Sequence, residues 1–364
     1  MKIALILGTR PEAIKMAPVY FELEKRGEQA DIISTGQHRQ MLDQALQIFD
    51  IKPRFDLHVM TDRQSLSLLT QKIIAGLQEL FDREKYDIVL VQGDTTTSFC
   101  GALVSFYNKI PVGHIEAGLR TNSIYDPFPE EINRRLTSKI ASMNFAATSV
   151  SADNLLKEGI TEKSIFITGN TVIDSIKWIQ KNKQFDTNAI RQKYNVASGK
   201  YILMTLHRRE NYGRPMEEIF RAVKKFLQSN PEYKLIFPVH MSPDVREYVY
   251  KNMEGVKNVI LTQPVDYIDF IALMSESSFI LTDSGGIQEE APTFGIPTVV
   301  LRNTTERTEA LSAGTAILAG TYENEILACL ELMTTEKCLE MAKIKNPYGD
   351  GFASQKIVDI LQSY

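Results

Sequence analysis

The sequence predicts an α/β protein of two facing doubly wound, Rossmann-like domains, and three observations predict it. Short β-rich runs alternate with longer amphipathic stretches from end to end, the rhythm of parallel sheets with helices on both faces. The chain has 364 residues, more than one ordinary core organises at roughly 150 residues per domain. Its composition, 43% hydrophobic and 24% charged, is that of a globular protein and not of a disordered or fibrous one.

The elements follow in order. In the first half, strands are expected at 2–7, 31–34, 88–91, 112–115, 143–147 and 164–167, each rich in Ile, Val, Leu or Phe. In the second half they are expected at 201–205, 234–237, 259–261, 279–282, 298–301 and 315–318. Stretches such as 66–83 and 216–227 carry apolar residues at helical spacing. Six strands per half, with no close sequence repeat, imply two domains similar in architecture alone. The expected division is 1–170 and 171–364, with a helix at 172–183, a polar stretch at 182–200, and a final helix that packs back on the first domain. Two such domains leave a cleft, and parallel sheets bind ligands beyond the carboxyl ends of their strands.

Charge and cysteine content exclude several classes. With 41 basic and 45 acidic residues, the net charge of −4 gives no basic field for nucleic acid or anionic lipid. Any phosphate must be met by a few placed side chains. Cys100, Cys329 and Cys338 are too few and too widely spaced for a disulfide framework or a zinc knuckle. The longest apolar runs fall far short of a membrane helix, and the start of the chain does not read as a signal peptide, so a cytoplasmic protein is expected.

Chemistry-bearing residues collect at the strand ends. The first strand runs into Gly8-Thr9-Arg10-Pro11-Glu12-Ala13-Ile14-Lys15, where a glycine turn and a proline at a helix start favour an anion, with Arg10 and Lys15 adding charge. An ordinary turn with exposed basic residues is the alternative. Neither a dinucleotide fingerprint nor a P-loop is present. Asp94, Glu116 and Glu130 follow at successive strand ends as carboxylates able to share one cleft wall; singly, each reads equally as a cap or a surface acid. His207-Arg208-Arg209 follows a strand of the second half, where a phosphate-facing role stands beside a purely structural one, and the spacing to Glu210 suggests no metal. Ser284-Gly285-Gly286 at a helix start exposes backbone N–H groups suited to a diphosphate, with Glu289 and Glu290 one turn on, suited to ribose hydroxyls. Arg307 is expected to turn a basic group toward the same cleft.

Six segments taken together resemble the non-hydrolysing UDP-N-acetylglucosamine 2-epimerases. They are Gly8–Ala13, Gly93–Thr96, His114–Arg120, Pro129–Arg134, His207–Asn211 and Asp283–Gly286, and the likeness extends over essentially the whole chain, including Asn346-Pro347-Tyr348-Gly349-Asp350-Gly351. The resemblance implies a glycosyltransferase-B-like fold and reversible conversion of UDP-GlcNAc to UDP-ManNAc for surface polysaccharides, without a cofactor or metal. It implies Asp94, Glu116, Glu130 and His207 as catalytic groups, the histidine meeting diphosphate or sugar. Arg10, Lys15, Arg134, Phe270, Ser284, Gly285, Gly286, Glu290 and Arg307 are implied to bind the UDP-sugar, Phe270 flanking the uracil. Gln37, Gln40, Arg63 and His240 match positions at which a second UDP-GlcNAc acts as allosteric activator in bacterial members. A homodimer is implied as well. Leu206 and Thr308 depart from the family pattern, at flanking positions that bear on loop shape.

The chemistry behind this expectation is an elimination. The C2 hydrogen has no neighbouring carbonyl, so it becomes removable only as the C1–O bond breaks and positive charge builds on the ring. Cations at the diphosphate promote that departure. A carboxylate takes the C2 proton, leaving 2-acetamidoglucal, and UDP adds back as a proton reaches the opposite face. Two faces call for two proton carriers, and the one acting as acid needs a raised pKa. The rival readings are a hydrolysing epimerase releasing ManNAc and UDP, a glycosyltransferase with the same donor, and a non-catalytic UDP-sugar sensor.

Overall fold

The computed structural model describes residues 1–61, 64–121, 123–183 and 185–364. Its first sheet has strands β1 (Lys2–Leu7), β2 (Gln29–Ser34), β3 (Phe55–Asp56), β4 (Ile88–Gln92), β5 (Val112–Ala117), β6 (Met143–Ala146) and β7 (Ile165–Ile167). The second has β8 (Tyr201–Thr205), β9 (Lys234–Pro238), β10 (Val259–Thr262), β11 (Phe279–Thr282), β12 (Thr298–Val300) and β13 (Ala316–Leu318). Every pairing between these strands is parallel. Strands buried on both faces read as continuous apolar runs, which is why Ile3–Leu7 and Ile88–Val91 carry no alternation.

The helices that matter below are α1 (Arg10–Lys25), α2 (Arg39–Ile48), α3 (Leu66–Arg83), α4 (Thr96–Tyr107), α5 (Glu130–Ile140), α6 (Ser149–Lys157) and α7 (Thr171–Asn182) in the first half of the chain. The expected helix 66–83 is observed at those bounds, capped by the Ser65 hydroxyl, which accepts from Leu68 N–H. In the second half, the helix Arg214–Ser229 buries Met216, Ile219, Phe220, Val223, Phe226 and Leu227, each contributing about 1.5–3 kcal/mol through burial.

Two short elements escape the periodicity. The two-residue β3 is a seventh strand at the edge of the first sheet. The polar stretch 182–200 contains a helix, Thr187–Tyr194, started by the Asp186 side chain accepting from Ala189 N–H and burying only Ile190. A helix with one buried residue leaves almost no apolar period to read.

The chain divides into one unit of Met1–Ile179 with Tyr348–Tyr364 and another of Gln180–Pro347. This division falls later than 170 because α7 is bound to the first unit. Ser175 Oγ donates to the Ile14 carbonyl at 2.5 Å, and Trp178 stacks on Phe21 with centroids 4.8 Å apart. The closing helix Ala353–Ser363 joins the same unit: buried Asp174 on α7 accepts from Ala353 N–H, Ser354 N–H and the Ser354 hydroxyl, satisfying that helix's first donors.

Strand order places the functional positions. The first sheet runs β3-β2-β1-β4-β5-β6-β7 and the second β10-β9-β8-β11-β12-β13. The winding direction reverses between β1 and β4 in one unit and between β8 and β11 in the other, and ligands of doubly wound sheets sit beyond such reversals. The turns after those four strands begin at Gly8, Gly93, Leu206 and Asp283.

Candidate active site

In the first unit, β1 and β4 end side by side, and one buried acid ties their turns together. Glu12, in the first turn of α1, is 1% exposed. Its Oε2 accepts from Gly8 N–H at 2.9 Å and the Thr9 hydroxyl at 2.8 Å, and its Oε1 from the hydroxyls of Thr95 at 2.7 Å and Ser98 at 3.0 Å. Burial raises its pKa above the ordinary value, against the pull of those donors. Thr9-x-x-Glu12 reads locally as a capping box, but the carboxylate also crosses to the neighbouring strand's turn.

Asp94, between Gly93 and Thr95, is braced from three sides. Arg134 on α5 forms an ion pair with its carboxylate, and Asn133 Nδ2 donates to its backbone carbonyl at 3.0 Å. His114, fully buried on β5, lies with Nε2 2.7 Å from the Gly93 carbonyl and Nδ1 3.1 Å from the Ser138 hydroxyl. A carbonyl only accepts, so Nε2 carries the proton and Nδ1 takes the serine hydrogen. Desolvation pushes His114 down to about 3, and Arg120 and Arg134 add to the effect, so it is a neutral strut. Arg134 is shared with fully buried Glu131, 3.3 Å away, which also pairs with Arg135.

Glu116 occupies the strained position of this unit. It has φ +63° within β5, where the pairing with β6 shifts register between Ile115 and Ala117. A left-handed backbone at a residue with a long side chain is unfavourable by about 1–3 kcal/mol, and such strain clusters at functional positions. It re-aims the side chain. The carboxylate pairs with buried Lys15 and accepts from Asn170 Nδ2 at 3.1 Å. Its Oε1 lies 4.0 Å from where a Cβ at Gly93 would stand, beside the Asp94 turn. The following Gly118, with φ +90°, passes so close to α6 that a Cβ there would lie 2.1 Å from the Ser151 carbonyl oxygen.

Among the remaining first-unit positions, Arg10 is exposed at the first residue of α1 and Glu130 opens α5, half-buried. Lys15 is engaged with Glu116 instead of standing beside Arg10 at the surface. Gln37 accepts from Thr97 N–H at 3.3 Å and the Thr97 hydroxyl at 2.8 Å, and Gln40 is exposed on α2. Arg63 lies outside the described residues.

In the second unit, His207 follows β8 and Ser284-Gly285-Gly286 follows β11. Buried Asp283 joins the two turns, accepting from His207 N–H at 2.9 Å and Arg208 N–H at 2.8 Å. Ser284 precedes the helix Gly285–Glu290 and makes no capping hydrogen bond with its side chain. At Gly286 an added Cβ would lie 3.9 Å from Glu290 Oε1, so Glu290 flanks the glycine turn. Arg307 is buried beneath that turn: its guanidinium carbon would be 3.0 Å from a Cβ at Gly285, and it pairs with Glu289 at 2.9 Å and Glu306 at 2.8 Å. Burial alone would raise Glu306, but Arg307 and Arg302 bring it down to about 2. Glu289 is thus paired with Arg307. Phe270 packs against the core of this unit, and the His240 ring stacks on His207 with centroids 5.8 Å apart.

The sequence missed the supporting groups: Glu12, His114, Asn133, Asn170 and Asp283. All but Asn170 lie inside the quoted segments, but their roles depend on which strand ends are neighbours, and Asn170 was legible only as a domain boundary.

Two doubly wound units with charged and glycine-rich turns at their reversals define a class of α/β protein that takes its ligands beyond the carboxyl ends of its strands. A family model described as UDP-N-acetylglucosamine 2-epimerase matches residues 22–362. The UDP-N-acetylglucosamine 2-epimerase of Bacillus subtilis is 47% identical over 370 residues, covering 99% of this chain and 95% of that one. The crystal structure of UDP-GlcNAc 2-epimerase from Neisseria meningitidis bound to UDP-GlcNAc matches with a TM-score of 0.93 at 44% identity, covering 100% of both chains. A glycosyltransferase of kitacinnamycin, 11% identical with a TM-score of 0.66 and covering 100% of this chain and 98% of that one, shares the fold alone. The chain belongs to the UDP-N-acetylglucosamine 2-epimerase family, whose members are isomerases.

Proposed function

We propose that this chain interconverts UDP-GlcNAc and UDP-ManNAc by eliminating UDP to 2-acetamidoglucal and adding it back, with the proton work done by Asp94, Glu116 and Glu130. The observation that carries this reading is the pairing of two acids at neighbouring strand ends, each tied to a buried cation, with Glu116 held in a strained backbone beside the Asp94 turn. One carboxylate takes the C2 proton while the electron pair of the C1–O bond leaves with the β-phosphate oxygen. A second delivers a proton to the opposite face as UDP returns to C1. A sugar binder has no use for such an arrangement.

Arg10, Lys15 and Arg134 serve the sugar and the developing charge. Ser284, Gly285 and Gly286 hold the diphosphate, Glu290 the ribose and Phe270 the uracil, with His207 at the leaving group. Arg307 supports the glycine turn from below, consistent with its burial. Gln37, Gln40 and His240 are proposed to take a second UDP-GlcNAc as activator, in a homodimeric, cytoplasmic enzyme. Among the described residues, no helix is long and apolar enough to cross a membrane.

The test is incubation with UDP-GlcNAc in D2O, following C2 by NMR. Deuterium entering C2 as UDP-ManNAc accumulates is the expected result. Free ManNAc with stoichiometric UDP would mean hydrolysis, and no exchange without an added acceptor would point to a transferase or a sensor.

A further inference from the structure

We infer that Asp283 is a positioning residue that fixes the tautomer and direction of His207, and so presents Nε2 to the departing diphosphate. This rests on the reading that His207 meets that diphosphate. Asp283 is fully buried, and its two oxygens do different things. Oδ2 accepts three hydrogen bonds, from His207 N–H at 2.9 Å, Arg208 N–H at 2.8 Å and Asn211 Nδ2 at 3.0 Å. These hold the backbone of the turn after β8. Oδ1 is also buried, receives no fully aligned hydrogen bond, and lies 3.0 Å from His207 Nδ1.

That asymmetry decides the tautomer. A neutral imidazole carries one N–H, and a bare Nδ1 facing a buried carboxylate oxygen would set two lone pairs against each other with no donor between them. Nδ1 therefore carries the hydrogen, which leaves Nε2 as the outward group. Burial alone would raise the Asp283 pKa, but the His207 contact and the backbone donors bring it below the usual value, so the facing group is a carboxylate. The His207 side chain is 40% exposed, and the His240 ring stacks on it at 22°. The imidazole thus keeps one fixed edge toward Asp283 and one toward ligand.

The consequence for the reaction is specific. When the C1–O bond breaks, its electron pair goes to the β-phosphate oxygen of UDP. With Nδ1–H held on the Asp283 carboxylate, the bare Nε2 is the nitrogen that faces that oxygen. A proton shared between Nε2 and the oxygen offsets the developing negative charge, and the carboxylate stabilises the positive charge this places on the ring. An imidazole in the other tautomer would turn a hydrogen toward Asp283 only by rotating away from the ligand.

The wild-type chain tests this directly, because tautomers of neutral histidine are distinguished by long-range ¹H–¹⁵N NMR. The protein has 5 histidines, and His207→Gln assigns the signal. The expected spectrum shows a pyrrole-like Nδ1 and a pyridine-like Nε2 for His207. The reverse pattern would overturn the inference whatever the variants do. Asp283→Asn, whose amide can donate to Nδ1, should invert the pattern and lower kcat for UDP-GlcNAc on the order of a hundredfold or more, with KM within about threefold. An unchanged tautomer and kcat in a folded Asp283→Asn would equally overturn it; if that variant does not fold, the wild-type spectrum decides. Titration with UDP separates the underlying reading: a UDP-insensitive Nε2 together with wild-type kcat in His207→Gln would remove His207 from the diphosphate and leave the tautomer result standing.

Discussion

Acidification offers a sharp test of the bracing of Asp94, because His114 converts pH into unfolding free energy with a sign and size that follow from its surroundings. Desolvation, aided by Arg120 and Arg134, lowers its pKa from 6.5 to about 3 in the folded chain. Between those values the unfolded chain binds a proton that the folded chain refuses, so stability falls as pH drops below 6.5 and is unaffected above it. The slope is about 1.4 kcal/mol per pH unit, so about 2 kcal/mol is lost from this one group between pH 6.5 and pH 5. The perturbation is His114→Gln, whose amide can still donate toward the Gly93 carbonyl but cannot titrate. At pH 7.5 the variant should lose about 1–2 kcal/mol through the Ser138 contact and imperfect packing. As pH falls, the gap should close, because only the wild type carries the proton-linked term. Urea unfolding at pH 7.5, 6 and 5 measures it. Trp178, the only tryptophan of the chain, reports on the same unit through its stack on Phe21. Subtracting variant from wild type cancels the other titrating groups. Parallel pH slopes for the two proteins would refute the argument, and so would a wild-type His114 NMR signal titrating near 6.5.

Three further outcomes are expected. Asp94→Asn should lower deuterium exchange at C2 by on the order of 10²–10⁴, with UDP affinity by calorimetry within about twofold; a misfolded variant would recast Asp94 as structural. Glu12→Gln should cost about 1–2 kcal/mol in urea unfolding, since the Thr95 and Ser98 hydroxyls can turn lone pairs to the new amide while Gly8 N–H needs the remaining oxygen. That loss should be larger at pH 5 than at pH 8: the folded pKa of Glu12 is raised above 4.5, so wild-type stability falls as pH rises through that window and the variant's does not. Gly118→Ala should destabilise by more than about 3 kcal/mol, from a left-handed φ and a Cβ 2.1 Å from Ser151 O; a melting temperature within a degree or two of wild type would mean the turn relaxes at little cost.

The sheets were legible because a strand buried on both faces declares itself as an apolar run, and Lys2–Leu7, Tyr201–Thr205 and Phe279–Thr282 were readable to the residue. The positions after those strands were legible for the same reason, since a strand's end is where its apolar run stops. What a neighbour does to a side chain was not. Arg307 reads as a basic group awaiting phosphate, yet it is buried against Glu289, 18 positions earlier in the chain, a contact set by how β11 and β12 lie together. Nothing in Ile115-Glu116-Ala117 announces a left-handed residue; the register slip against β6 creates it. The catalytic roles came from the resemblance, and residue chemistry alone would have left Asp94, Glu116 and Glu130 as three acids at strand ends.

The two units solve one structural problem in opposite directions. Where a sheet's winding reverses, helices leave the adjacent strand ends toward different faces, and the turns between them present N–H and hydroxyl donors that no ladder satisfies. A buried carboxylate bridges this gap in each unit. In the first it comes from the β1 side, and it must be a glutamate because it starts one helical turn in, at Glu12, and reaches donors after β4. In the second it comes from the β11 side, and an aspartate suffices because Asp283 directly follows the strand and meets the turn after β8. Since acid and donors exchange strands between the units, this bridge leaves no matching motif in the two halves. The same crossings hold Asp94 in one unit and His207 in the other, so loosening either acid should reach the chemistry through the turn it holds and not through any contact of its own with substrate.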